Sequence, residues 1–128
     1  MKTSQDACIF CKVPSKDWVD STKSFFVVED RYPVTEGHLL IIPKAHRLDY
    51  FELSSDEQSE LPDLLKILKA KICANDNRVS GFNIGANCGE SAGQSIFHCH
   101  IHLIPRRDGD VVNPRGGVRG VIPSKQNY

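Results

Sequence analysis

Apolar positions along the chain follow two different periods. Residues 24–30, SFFVVED, are aromatic and β-branched between charges, which predicts a strand. Residues 37–44, GHLLIIPK, predict a second strand, opened by Gly37 and closed at Pro43. The RYPVTEG segment between them is turn chemistry, so the two strands form a hairpin with a long loop. From Ser54 to Asp76 the period becomes helical: Leu61, Leu64, Leu65, Leu68 and Ile72 share one face. Ser54 with Glu57 reads as a capping box, and acids crowd the first turn, where the helix dipole favours them. Pro62 either kinks this helix or starts its main segment. GFNIGAN, residues 81–87, predicts a third strand; CGESAGQ, residues 88–94, a loop; and IFHCHIHLIP, residues 96–105, a fourth strand. Strands that flank one long helix without regular alternation predict an α+β class with a mainly antiparallel sheet.

A chain of 128 residues makes a single domain, 1–128, with its core over about 8–107 and a glycine-, proline- and arginine-rich tail over 108–128. Sixteen basic and sixteen acidic side chains balance. That argues against bulk electrostatic binding to a nucleic acid polymer or a membrane. The N-terminus has no apolar run of signal or membrane-spanning length, so a cytoplasmic protein is expected. Five cysteines is an odd count, and a reducing compartment disfavours disulfides. CIFC, Cys8 and Cys11, has the gap of a zinc half-site; Cys73, Cys88 and Cys99 read as plain buried or half-buried thiols. A redox Cys-x-x-Cys opens a helix after a strand in a thioredoxin-like unit, a context missing here.

Three of the five histidines alternate in the fourth predicted strand: His98, His100 and His102. On a strand they share a face, and Cys99, Ile101 and Leu103 take the other, apolar one. A rise of about 3.3 Å per residue puts the outer two roughly 13 Å apart at Cα. Ligand nitrogens of one zinc ion lie only about 2 Å from it. The three imidazoles therefore divide their labour instead of holding one ion.

HCHIHLI resembles the signature of the histidine triad (HIT) superfamily of nucleotide hydrolases and transferases. AGQS before it, GHLLIIPKAH upstream and CIFC at the start resemble the same family in the same order, from about Cys8 to Arg107. The tail is similar to that of bacterial members near the fragile-histidine-triad branch. The resemblance implies a two-layer HIT-like fold: a five-stranded, mainly antiparallel sheet with one long and one shorter helix. It implies that His100 attacks the α-phosphorus of a nucleotide and forms a nucleotidyl-histidine, with its other ring nitrogen donating to a backbone carbonyl. Imidazole suits that work, being nucleophilic near neutral pH and a good leaving group afterwards. His102, as a protonated imidazole, would serve the departing group, and His38 would support the nucleophile. Asn87, Gly93, Gln94 and Ser95 match phosphate contacts, and Asp30 matches the ribose contact. Leu40, Val28, Ile9 and Phe10 are candidates for the base cleft.

Cys8, Cys11, His46 and His98 match the ligands of a structural zinc ion in members that keep the cysteine pair. Two thiolates and two imidazoles close a tetrahedron, leaving no open position for substrate. Arg106, Arg107, Arg115 and Arg119 are candidates for distal phosphates, with Arg115 or Arg119 expected to reach a substrate. The expected substrate is a purine nucleotide, as a dinucleoside polyphosphate or a nucleoside phosphoramidate, with no organic cofactor. A homodimer is expected. Alternatives are transfer or phosphorolysis through the same intermediate, a nucleotide-binding sensor with weak turnover, and a metal-binding scaffold without catalysis.

Overall fold

The computed structural model describes residues 7–128. Its sheet is built from β1 (Asp20–Ser21), β2 (Phe25–Glu29), β3 (Leu39–Pro43), β4 (Val79–Gly85) and β5 (Ile101–Arg107). The spatial order is β1-β2-β3-β5-β4, and every neighbouring pair is antiparallel. One long helix, α1 (Ser55–Asn75), joins the β3 and β4 halves. This is the expected α+β fold. The short helical pieces are single 3-10 turns, such as Tyr50–Glu52 and Glu90–Ala92. Two-residue β1 carries no periodic signal and was not legible as a strand.

The runs FFVV and LLII are buried at every position because both faces of the central strands are covered. On the helix side, Phe25, Val27, Leu39, Ile41, Cys99, Ile101 and Leu103 pack with Leu61, Leu64 and Leu68 of α1. Leu65 and Ile72 flank this core, partly buried. On the other side, Phe26, Val28, Leu40 and Ile42 pack with Cys8 and Phe10, so the N-terminal segment serves as the second cover.

The capping box is formed. Ser54 Oγ accepts from the Glu57 N–H at 3.1 Å, and Glu57 Oε1 accepts from the Ser54 N–H at 2.7 Å. Glu57 is buried and also receives the Arg47 guanidinium at two points, each 3.0 Å. That tie anchors the helix start to the loop just after His46. Pro62 lies inside α1, which stays one element.

The histidine segment departs from the expected strand. β5 starts at Ile101, so His98 and His100 precede it. The β3 ladder stops at Ile41↔Ile101. Beyond that point the His98 ring bonds the Pro43 carbonyl, and the Cys99 N–H goes to the Arg47 carbonyl at 2.7 Å. Backbone groups that would extend the ladder are committed elsewhere. Side-chain alternation survives all the same: Cys99, Ile101 and Leu103 face the helix, opposite the histidines.

Leu64→Ala removes a side chain that is 1 % exposed, and should cost about 2–5 kcal/mol in chemical denaturation. Ser54→Ala should cost about 1 kcal/mol. Equal losses from the two would contradict this division of the helix between cap and core.

Candidate active site and metal centre

Backbone groups determine the proton positions on the clustered imidazoles. His100 Nδ1 lies 2.9 Å from the His98 carbonyl oxygen. A carbonyl only accepts, so Nδ1 carries the hydrogen, and neutral His100 keeps its lone pair on Nε2. The ring lines the cleft floor. His38 has the opposite arrangement: the Val34 N–H donates to its Nδ1 at 3.0 Å, so the hydrogen sits on Nε2. That Nε2–H meets His102 Nδ1 at 2.9 Å, with Asp30 Oδ2 at 3.4 Å. His102 therefore accepts on Nδ1 and carries its hydrogen on Nε2. Side by side in the cleft, His100 offers a lone pair and His102 offers a donor.

Burial pushes the His38 imidazole below its ordinary pKa, against the pull of Asp30. Burial also lowers His102, helped by His100 and His38 and opposed by Asp30. Both shifts favour the neutral rings, and the hydrogen bonds leave the Nε2–H of His102 as the donor facing the cleft.

The fourth imidazole belongs to a second cluster. His98 is fully buried, and its Nε2 lies 2.8 Å from the Pro43 carbonyl oxygen, so Nδ1 bears the lone pair. Around that Nδ1 stand Cys8 Sγ at 3.4 Å, Cys11 Sγ at 3.5 Å and His46 Nδ1 at 3.1 Å; Cys11 Sγ is 3.1 Å from His46 Nδ1. All four donor atoms lie within 4.8 Å of one another. A tetrahedral zinc ion with bonds of about 2.0–2.3 Å needs its ligand atoms about 3.3–3.8 Å apart. The donor set fits: two sulfurs, two nitrogens, and an outer N–H of His98 held by a backbone carbonyl, as metal-ligating histidines are. Desolvation, with the hydrogen bond and charge of Cys8 behind it, pushes the Cys11 thiol up to about 11. A bound divalent cation reverses that by stabilising the thiolates.

Asp30, His38 and His102 also come within metal-binding reach of one another. Their hydrogen bonds argue against an ion. His38 Nε2 would have to give up its hydrogen to Nδ1, where the Val34 N–H already points. This group is a hydrogen-bonded relay.

A cleft of about 650 Å³ opens over His100 and His102. Val28 of β2, Leu40 of β3 and His102 of β5 are successive cross-strand partners and line its floor. Ile9, Phe10 and Val13 form one wall; Asp30, Arg31 and Tyr32 another; Asn87, Gly93, Ser95 and Ile96 close the end beside the histidines. Phe10 stands edge-on to His100, with ring centroids 5.1 Å apart. Gly93 takes φ +95° where the 3-10 turn ends, a value that favours glycine. Asp30 is fixed by the Tyr32 N–H, which donates to its Oδ1 at 2.8 Å.

The HIT domain profile matches residues 12–109. The chain belongs to the HIT family. Among HIT relatives, "Adenosine 5'-monophosphoramidase HNT1" of Candida albicans is 33% identical, covering 82% of this chain and 74% of its own length. The protein of the same name from Saccharomyces cerevisiae is 37% identical over 83% of this chain and 66% of its own. A HIT family protein of Bacillus anthracis, solved by crystallography, has a TM-score of 0.73 at 39% identity, covering 80% of this chain and 74% of that one. A zinc-bound histidine triad family protein of Mycobacterium smegmatis has a TM-score of 0.73 at 30% identity, covering 86% and 82%.

Most of the residues implied by the HIT resemblance meet in the two clusters or line the cleft. Asp30, Leu40, Asn87, Gly93, Ser95, His100 and His102 line it, as do Ile9, Phe10 and Val28. His38 sits behind His102, and Cys8, Cys11, His46 and His98 form the four-donor cluster. Gln94 is different. It is buried, its Oε1 accepts from the Gly89 N–H at 2.9 Å, and its Nε2 donates to the Leu48 and Ile96 carbonyls. Its side chain braces the 88–96 loop through these backbone groups and does not line the cleft.

The four arginines also lie elsewhere. Arg106 pairs with Asp110, Arg107 with Asp76, and Arg115 and Arg119 lie over the Tyr128 ring at 5.0 and 4.7 Å. None lines the cleft. Val34 went unnoticed in the sequence: its contribution is a backbone N–H, which no side-chain pattern reports.

Purified protein should carry one zinc ion per chain by elemental analysis. Cys8→Ser should lose it and lower the melting temperature; full zinc retention by that variant would reject the assignment.

Proposed function

We propose that this protein hydrolyses nucleotides at the α-phosphate through a nucleotidyl-His100 intermediate. One observation carries the reading: the His98 carbonyl holds the hydrogen of His100 on Nδ1, which leaves a lone pair on Nε2 at the cleft. Nε2 forms the bond to phosphorus while the bond to the leaving group breaks and its electron pair departs with that group. The Nε2–H of His102 donates to the departing atom. The substituted His100 ring becomes cationic, and the His98 carbonyl stabilises it through Nδ1–H. Water then attacks phosphorus, its proton passes to His102 Nε2 and restores the hydrogen given to the leaving group, and the P–N bond breaks with its electron pair returning to His100. The backbone around Gly93 and Ser95, with the Asn87 amide, surrounds the phosphoryl oxygens. Asp30 receives the ribose hydroxyls.

A phosphoramidate substrate is favoured over a dinucleoside polyphosphate. Two relatives are named adenosine 5'-monophosphoramidase. A polyphosphate chain calls for several cations, and Arg31 is the one cationic side chain among the described residues that line the cleft. Zinc is proposed as a structural ion held by Cys8, Cys11, His46 and His98. We also propose a homodimer: β4 is an edge strand of the sheet, and Ile84 on it is 49% exposed. All five cysteines are free, which supports a reducing, cytoplasmic setting.

Incubating the protein with adenosine 5'-phosphoramidate and quenching in denaturant should trap an AMP adduct on His100, read by mass spectrometry. His100→Ala should lower kcat by on the order of a thousandfold or more and abolish the adduct. An adduct on another residue, or unchanged turnover, would refute the covalent route. The activity should also fall as pH drops below about 6.5, because protonation of His102 or His38 destroys the relay. Burial lowers both of these values, so the fall should be centred below the ordinary imidazole value. His38→Asn removes one of the relay's two imidazoles and should move that acid limb to higher pH, because the charge of His38 helps hold His102 down.

A further inference from the structure

The catalytic reading accounts for one end of the cleft and leaves the other chemically unassigned. Across the sheet from His102, the floor runs through Leu40 and Val28, one strand spacing of about 4.8 Å each. Past β2 the lining is Val13, Val19 and Asp17. Phosphate chemistry sits at the β5 end, and the ribose contact Asp30 follows β2. A nucleotide lying along this floor therefore carries its base to the Asp17 end.

Val13 and Val19 make that end apolar at its floor, and Asp17, Glu29, Asp30, Arg31 and Tyr32 are the polar side chains around it. Glu29 alternates with Val28 and so points with Val27 to the helix face of the sheet. Asp30 is engaged with Tyr32 and His38. Asp17 is the remaining acid on the lining, and it makes no ion pair among the described residues. Its backbone is well held. The Asp17 N–H bonds the Pro14 carbonyl at 2.9 Å, and the Val19 N–H bonds the Val27 carbonyl at 2.8 Å. Between them, Trp18 stacks on Phe26 with centroids 4.8 Å apart and planes 15° from parallel. The rim residue thus sits on a fixed platform, able to select among ligands.

We propose that Asp17 reads the edge of the base and makes the cleft prefer guanine to adenine. This rests on the nucleotide reading above and adds the identity of the base. A carboxylate is an acceptor at both oxygens. Guanine presents two adjacent donors, N1–H and the 2-amino group, which match it as a pair. Adenine presents one donor beside the N1 lone pair, so one carboxylate oxygen faces a lone pair. Hydrogen bonds to a charged group carry enough energy for tenfold discrimination, even at a solvent-exposed rim. An asparagine at 17 changes the pattern to one acceptor and one donor, the complement of adenine.

Calorimetric titration of wild type and Asp17→Asn with GMP and with AMP tests this, since neither product requires turnover. Wild type should bind GMP about tenfold or more tighter than AMP, and Asp17→Asn should bind AMP tighter than GMP. Asp17→Ala should bring the two within about twofold. If both nucleotides bind with the same ratio in wild type and Asp17→Asn, the base assignment fails while the nucleotide reading stands. If neither nucleotide binds wild type, the nucleotide reading fails and takes the base assignment with it.

Discussion

The site depends on backbone groups that fix which nitrogen of each imidazole carries hydrogen. A free histidine exchanges tautomers, and half of its chemistry is then aimed the wrong way. Here the His98 carbonyl, the Val34 N–H and the Pro43 carbonyl each hold one ring in one state. The donor on His102, the lone pair on His100 and the metal-facing lone pair on His98 all follow from them. None of these partners can change its character. A carbonyl cannot donate and an amide N–H cannot accept, so the assignment holds as long as the fold does.

This arrangement links the four-donor cluster to His100, the proposed nucleophile, through one residue. The His98 side chain faces the four-donor cluster, while its main-chain oxygen holds His100. The segment between Cys8 and Cys11 carries Phe10, whose ring meets His98 at 6.0 Å and His100 at 5.1 Å. Two of the four donors therefore bracket Ile9 and Phe10 on a wall of the cleft, and a third bears the carbonyl that orients the His100 ring. An ion there would act on catalysis through position alone, with no coordination site open to substrate.

Much of this was legible in the sequence where side-chain identity carries the signal. The two buried strand runs, the capped helix and the alternation of Cys99, Ile101 and Leu103 against the histidines are patterns of apolar residues. The residues of the four-donor cluster are types with few other uses at such spacing. What stayed hidden was main-chain bonding. β5 begins five residues later than its pattern suggests because the Pro43 and Arg47 carbonyls take bonds that a ladder would use. Gln94 looked like a phosphate contact, yet its amide is spent on three backbone groups of nearby loops. The tail arginines read as candidate anion ligands, and the fold sets them over Tyr128 instead. In each case the deciding partner is a peptide group or a residue distant in sequence.

The central claim, that the backbone fixes complementary tautomers on neighbouring rings, is open to direct measurement. Nitrogen-15 NMR of the histidine side chains at pH 7.5 distinguishes a protonated from a bare ring nitrogen in each residue. The account predicts hydrogen on Nδ1 and a bare Nε2 in His100, with the reverse in His38 and His102. A bare Nδ1 in His100, or an even mixture of tautomers in that ring, would contradict it.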